Sequence, residues 1–177
     1  MTSKNIQTHQ VTPNLEVRED TQTGYHSMYT TKDLEPFTVL SEFEHQNKLS
    51  VPTRFSVQIN KTEHITLKPT YLQYINHSFA PNVFFDTKKM ELITLHPIQA
   101  GEELAFFYPS TEWRMTEAFT CGCGSEHCLK SIQGAAYLSY DNLVKYRLSQ
   151  HIIDRYSNLK NIQREKSEVN TTDNQTV

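Results

Sequence analysis

The feature that most constrains this chain is a succession of short β-branched and aromatic segments, each cut off by polar turn residues before it can grow. Met28-Tyr29-Thr30-Thr31, Phe37-Thr38-Val39-Leu40, Phe55 to Ile59 and His64 to Leu67 come first. Asn82 to Asp86, Met90 to Leu95 and Leu104 to Tyr108 follow. Such residues fit a pleated, half-buried surface, and their partial alternation predicts strands rather than helices. Asn60-Lys61-Thr62-Glu63 and Thr87-Lys88-Lys89 supply turn chemistry for two hairpins, and Pro97 through Gly101 supplies another turn. Pro69 is placed to start one short helical turn carrying Tyr71, Leu72 and Ile75. Pro109 would end the last strand by withholding a ladder donor. The expected class is mainly β, a β-rich α+β domain.

The pattern changes after Asp141. Leu148, Ile152, Tyr156, Leu159 and Ile162 recur at helical spacing, with Lys145, Arg155 and Lys160 left for the wet face. This predicts an amphipathic helix over 139–165, capped by Asp141 and packing its apolar stripe on the core. Residues 1–13 and 166–177 are polar and without period, and are expected to be disordered.

Charge and cysteine usage narrow the function classes. Lys and Arg total 17 against 20 Asp and Glu, a net charge of -3, with no block of like charge. A nucleic-acid partner would call for a concentrated basic face, so none is expected. No apolar run is long enough to cross a bilayer and the N-terminus lacks an apolar signal region. No membrane partner is therefore expected, and an intracellular setting, cytoplasmic or else nuclear, is. Three cysteines, Cys121, Cys123 and Cys128, are a poor disulfide framework but a good thiolate cluster for a reducing compartment.

Three motifs carry the chemistry. Asn76-His77-Ser78 alone reads as a loop of turn formers with exposed backbone groups. It stands, however, within Gln73-Tyr74-Ile75-Asn76-His77-Ser78-Phe79-Ala80-Pro81-Asn82-Val83. After it come Gly101-Glu102-Glu103-Leu104-Ala105-Phe106-Phe107-Tyr108 and then Phe119-Thr120-Cys121-Gly122-Cys123-Gly124 to Cys128. In order, spacing and residue type, over about Tyr71 to Leu138, these segments resemble those of the SET-domain protein lysine methyltransferases. The match implies a SET-like domain over 14–110, a post-SET-like segment over 111–138, several small sheets, and a knot-like threading of the C-terminal segment past the Asn-His loop.

The resemblance also implies roles. S-adenosyl-L-methionine would be the cofactor, held by His26, Ser27, Met28, Tyr74, Asn76, His77 and Phe119. Tyr108 would be the catalytic hydroxyl, with Phe55, Tyr74, Phe106 and Phe107 as candidates for an aromatic wall. Each aromatic has core packing as its alternative, and Trp113 is read as core. The substrate would be a lysine-bearing protein or peptide; the oligomeric state is not specified. These residue types suit the reaction, because an amine must be deprotonated, aligned and kept dry beside a sulfonium whose charge aromatic faces can stabilise.

Two departures from the family pattern stand out. The glycines of the N-terminal G-x-G fall on Tyr25 and Ser27, with Gly24 one position away, and Phe37 stands where a later glycine is usual. The fourth zinc ligand of the family, the Cys after N-H-S, is Phe79 here. Cys121, Cys123 and Cys128 are then metal ligands lacking a fourth partner, which Glu126 or His127 would have to supply, or inert thiols with Phe79 making a hydrophobic contact in place of the tie. The alternative function is a catalytically weakened SET-fold module for protein interaction.

Overall fold

A computed structural model describes residues 5–172, and side chains through residue 161. It consists of small sheets and short connections, as the segment pattern predicts. β1 (Ile6–Thr12), β2 (Leu15–Asp20) and β3 (Tyr25–Thr30) form an antiparallel sheet in that order. β4 (Val39–Glu42), β9 (Val83–Asp86) and β10 (Glu91–Thr94) form a second, with β10 in the middle. β5 (Glu44–Leu49), β6 (Ser56–Gln58) and β7 (His64–Lys68) form a third, with β7 in the middle.

The turns behave as their chemistry dictates. Asn60 Oδ1 accepts from the N–H groups of Thr62 and Glu63 at 3.0 and 2.9 Å, closing the β6–β7 hairpin. Asp86 Oδ1 does the same for Lys88 and Lys89, at 3.1 Å each, between β9 and β10. Pro69 precedes a 3₁₀ helix, Thr70–Tyr74, that buries Leu72. Phe37 takes the left-handed conformation, φ 57°, while 72 % exposed. The backbone there keeps the geometry that favours glycine although the side chain is large.

Two pairings position the site. β8 (Asn76–His77) runs parallel to β11 (Ala105–Phe106), with Asn76 opposite Ala105 and His77 opposite Phe106. β12 (Phe119–Thr120) pairs antiparallel with β13 (Ser131–Ile132) and encloses the cysteines. The core divides accordingly. One cluster joins Leu15, Met28, Phe85, Leu92, Ile98 and Leu104 from the sheets. A second joins Phe79, Phe107, Cys121, Ile132, Leu143 and Ile152, fastening the C-terminal third.

Several expectations are corrected. Residues 6–12, read as disordered, are β1; the strand is exposed almost throughout and is held by backbone pairing to β2, which leaves no hydrophobic trace in the sequence. Asn76-His77 lies in a ladder rather than a free loop. The strand read over Leu104–Tyr108 is only Ala105–Phe106, because Tyr108–Ser110 turns into a 3₁₀ helix with Pro109 early in it. The single C-terminal helix is two, α1 (Tyr140–Leu143) and α2 (Gln150–Thr172). Ser139, not Asp141, stands at the α1 N-cap, with Asp141 in the first turn. α2 buries His151 and Ile152, but Leu159 is exposed, so only its first turns pack on the core. Helix continues to Thr172 where disorder was expected from 166; the disorder expected of residues 1–4 and 173–177 lies outside the described residues.

Candidate active site

A cleft of about 1410 Å³ opens between the sheets and the cysteine segment. That is ample for a ligand the size of a nucleoside cofactor together with an extended side chain. Its inner wall is β8 and β11. Asn76 sits at the junction of three elements: its side-chain N–H₂ donates to the His26 carbonyl at 3.0 Å, Ser27 Oγ at 3.3 Å and Glu103 Oε1 at 2.9 Å. With that nitrogen committed to the protein, the amide carbonyl is the part of Asn76 free for a ligand.

His77 is buried among Phe79, Phe107, Tyr108 and Phe119, with ring centroids 4.9 to 6.0 Å away. Burial pushes its imidazole down to about 4, so it is neutral at physiological pH. Its Nδ1 accepts from the Tyr108 N–H at 3.2 Å, which assigns the hydrogen to Nε2. Nε2 is buried without a hydrogen-bond partner. An orphan donor on a cleft wall is a position where a ligand acceptor would be stabilised.

Tyr108 follows β11 directly, and its hydroxyl donates to the Ile75 carbonyl at 3.3 Å. Burial raises its pKa well above the ordinary tyrosine value, so it is a neutral hydroxyl whose oxygen is left as an acceptor. Phe106 packs 4.6 Å from it on the cleft side. Phe107 points the other way, stacked on Tyr146 at 3.8 Å in the second core. Strand alternation thus splits the two candidates for the aromatic wall.

The outer wall is made of Tyr25, His26, Arg54, Phe55, Tyr74 and Phe119. His26 stacks on Tyr74 at 4.5 Å and 15°. Phe119 lies 6.1 Å from Tyr108 and 6.0 Å from His77, bringing the start of the cysteine segment over the inner wall. Tyr25 is half exposed, with its pKa raised by burial and by Glu103. The three residues read together from β3 separate. His26 lines the cleft, Ser27 anchors Asn76, and Met28 is fully buried in the sheet core. The Met28 carbonyl accepts from Leu104 N–H at 2.7 Å, away from the cleft lining. Trp113 packs against the second core.

The Sγ atoms of Cys121, Cys123 and Cys128 all lie within 4.8 Å of one another. Cys121 Sγ accepts from Cys123 N–H and Cys128 Sγ from Lys130 N–H, both at 3.4 Å. Burial pushes the Cys121 thiol up to about 12. At Cys123 burial is outweighed by the backbone groups of Phe79 and Ser125 and by the neighbouring thiols, which bring it to about 7. The trio fits three positions of a thiolate metal site. Among the described residues no Asp, Glu or His joins them; His127 faces Glu126 at the surface, 3.6 Å away. Phe79 is buried beside the trio in the second core.

Sequence reasoning assigned no role to Glu103, which holds Asn76, nor to a buried group behind Tyr108. There Glu112 Oε1 accepts from Gln58 N–H at 2.7 Å, while Oε2 lies 3.5 Å from His64 Nδ1. Neither is marked in the sequence: Glu103 follows Glu102, and Glu112 stands among Ser110, Thr111, Trp113 and Arg114.

Comparison with known proteins bears on the fold and its family. Residues 38–109 match the SET domain family. The methyltransferase flvH of Aspergillus flavus is 42% identical over 85 residues, which are 47% of this chain and 48% of that protein. The histone-lysine N-methyltransferase, H3 lysine-36 specific, of Gibberella zeae is 32% identical over 88 residues, 45% of this chain and 9% of that protein. The chain thus spans half or less of the curated relatives it matches. Among solved structures, KRYPTONITE in complex with mCHH DNA, an H3(1-15) peptide and SAH has the same fold, with a TM-score of 0.52 at 19% identity, over 70% of this chain and 30% of that one.

Proposed function

From the match of residues 38–109 to the SET domain family, we propose that the protein transfers a methyl group from S-adenosyl-L-methionine to the side-chain amine of a lysine in a protein or peptide substrate. The observation that carries this reading is the convergence of Asn76, His77 and Tyr108 on one wall of a single cleft. A scaffold for protein interaction has no use for that convergence.

The cofactor would supply the electrophilic methyl, and the protein position and dryness. The residues present suit it: the unpaired His77 Nε2, the free Asn76 carbonyl and the His26–Tyr74 stack line a cleft of sufficient size. Tyr108 keeps its proton on the Ile75 carbonyl and turns its oxygen lone pairs to the incoming amine, holding it in line. Phe106 and Phe119 exclude water and offer π faces to the cationic centres. A dry channel lowers the lysine pKa, which favours the neutral nucleophile. Zinc, where bound, would be held by Cys121, Cys123 and Cys128 with its fourth ligand from outside this set.

A net charge of -3 supports a protein partner over a nucleic acid, and three free thiols support a reducing, intracellular setting. Calorimetry with S-adenosyl-L-methionine tests the core of the proposal. Saturable heat is expected, and its absence at millimolar cofactor would sink the enzyme reading in favour of the interaction module.

A further inference from the structure

The buried group behind Tyr108 is not used by the chemistry above, yet it joins four parts of the molecule. Glu112 N–H donates to the Tyr108 carbonyl at 2.9 Å, so Glu112 closes the turn that begins at the tyrosine. Its carboxylate crosses to β6 and β7, taking Gln58 N–H on Oε1 and facing His64 Nδ1 with Oε2. Gln58 returns the contact, its Oε1 accepting from Trp113 N–H at 2.9 Å. From α2, His151 Nε2 meets the Thr111 carbonyl at 2.8 Å, and just before the helix Ser149 N–H donates to the Ser110 carbonyl at 2.9 Å. The Glu112 and His64 side chains are each over nine-tenths buried, and His64 Nδ1 has no other partner.

Such a pair is stable only when its charges balance. A lone carboxylate or a lone imidazolium would be desolvated without compensation, whereas one proton between the two leaves the site neutral in either arrangement. We propose that Glu112 and His64 hold a single proton between them, and that this proton fixes the segment 110–113 against β6 and β7 so as to position Tyr108. Glu112 is thus a positioning residue for the methyl transfer, and this second clause rests on the function proposed above.

The surroundings favour that reading. Burial raises the Glu112 carboxyl to about 7 and lowers His64, as a neutral pair requires. Among the described residues, the other titratable and charged groups facing the pair are Tyr108, whose pKa the Glu112 charge helps to raise, and His151 and Arg155 on α2, both of which disfavour a second proton on His64. Asp154 faces His151, and Thr111 Oγ1 donates to Glu112 Oε1 at 3.3 Å. Above about pH 7 the pair is left with a bare carboxylate, and the segment loosens.

Glu112→Gln separates this from ordinary packing. The amide keeps the acceptor for Gln58, can donate to His64, and does not titrate. Trp113 is the single tryptophan and its backbone is part of the clamp, so its fluorescence reads the segment directly. The wild-type protein should show a fluorescence transition centred near pH 7 that Glu112→Gln lacks, and the melting temperature of Glu112→Gln relative to wild type should climb from pH 5 to 7.5. If both proteins titrate alike in fluorescence and melting, the shared proton is refuted. In turnover, the ratio of Glu112→Gln to wild-type kcat should rise by roughly 10-fold as pH crosses 7, with KM unchanged. A ratio flat with pH while the fluorescence differs would overturn the positioning role alone. Absence of cofactor heat in the wild type overturns the enzyme reading and with it that role, and leaves the proton to be judged by fluorescence and melting.

Discussion

The two walls of the cleft are built by different means. The inner wall is backbone paired to backbone, β8 on β11, with His77 buried, Asn76 and Tyr108 partly buried, and each tied by hydrogen bonds. The outer wall is side chains on turns and strand ends: Tyr25, Arg54, Phe55 and Phe119 are held by few polar contacts and remain partly open to solvent. Groups that must meet a reacting atom within tenths of an ångström sit on the rigid side, where packing fixes their rotamers. Groups that enclose a ligand can afford mobility. On the function proposed above, chemistry falls to one wall and enclosure to the other.

That assignment can be broken. Tyr108→Phe should lower single-turnover methyl transfer by roughly 100-fold while calorimetry finds cofactor affinity nearly unchanged. Equal loss of both would move Tyr108 from chemistry to binding. Next in size is the acid response of the inner wall. His77 is depressed in the folded state, so the unfolded chain takes up its proton first. Its contribution is complete above about pH 6.5 and is lost as pH falls toward about 4, on the order of 3 kcal/mol over that window. Denaturant titrations at pH 4.5 and 7 on wild type and His77→Asn should show the dependence shrink in the variant. Glu112, raised to about 7, works in the opposite sense, withdrawing stability as pH rises from the unfolded carboxylate range to 7.

Asn76→Ala removes the amide N–H₂ that is shared among the His26 carbonyl, Ser27 and Glu103, and should cost about 2 kcal/mol in the same titration at pH 7. The smallest effect belongs to the outer wall. His26→Ala breaks the stack on Tyr74 and should change stability by less than about 1 kcal/mol, the sharper loss appearing in cofactor heat. A large stability loss there would show that the outer wall is as structural as the inner one.

How much of this was legible follows the same division. Alternating β-branched and aromatic residues marked β3, β6, β7, β9 and β10, because burial of one face leaves a period in the sequence. The exposed β1 left none. Asn76, His77 and Tyr108 were found as residue types at fixed spacing, but their mutual distances come from a parallel pairing that no local pattern encodes. Met28 was grouped with His26 through the family resemblance, but it lies further along β3, where the strand has entered the core, while His26 still lines the cleft. The Glu112–His64 pair joins positions far apart in the chain, each unremarkable alone.

The parallel pairing of β8 and β11 also bears on how the protein folds. Neighbouring strands β1, β2 and β3, and β9 with β10, can form from local turns alone. The cleft cannot: β11 finds β8 across an intervening hairpin, Glu112 finds Gln58 from 54 residues away, and Tyr146 finds the Phe79 carbonyl from 67. Loop-closure entropy must be overcome for each before its contacts contribute. The site is therefore expected to be the last region to assemble, with the sheets already formed around a space that the final third of the chain completes.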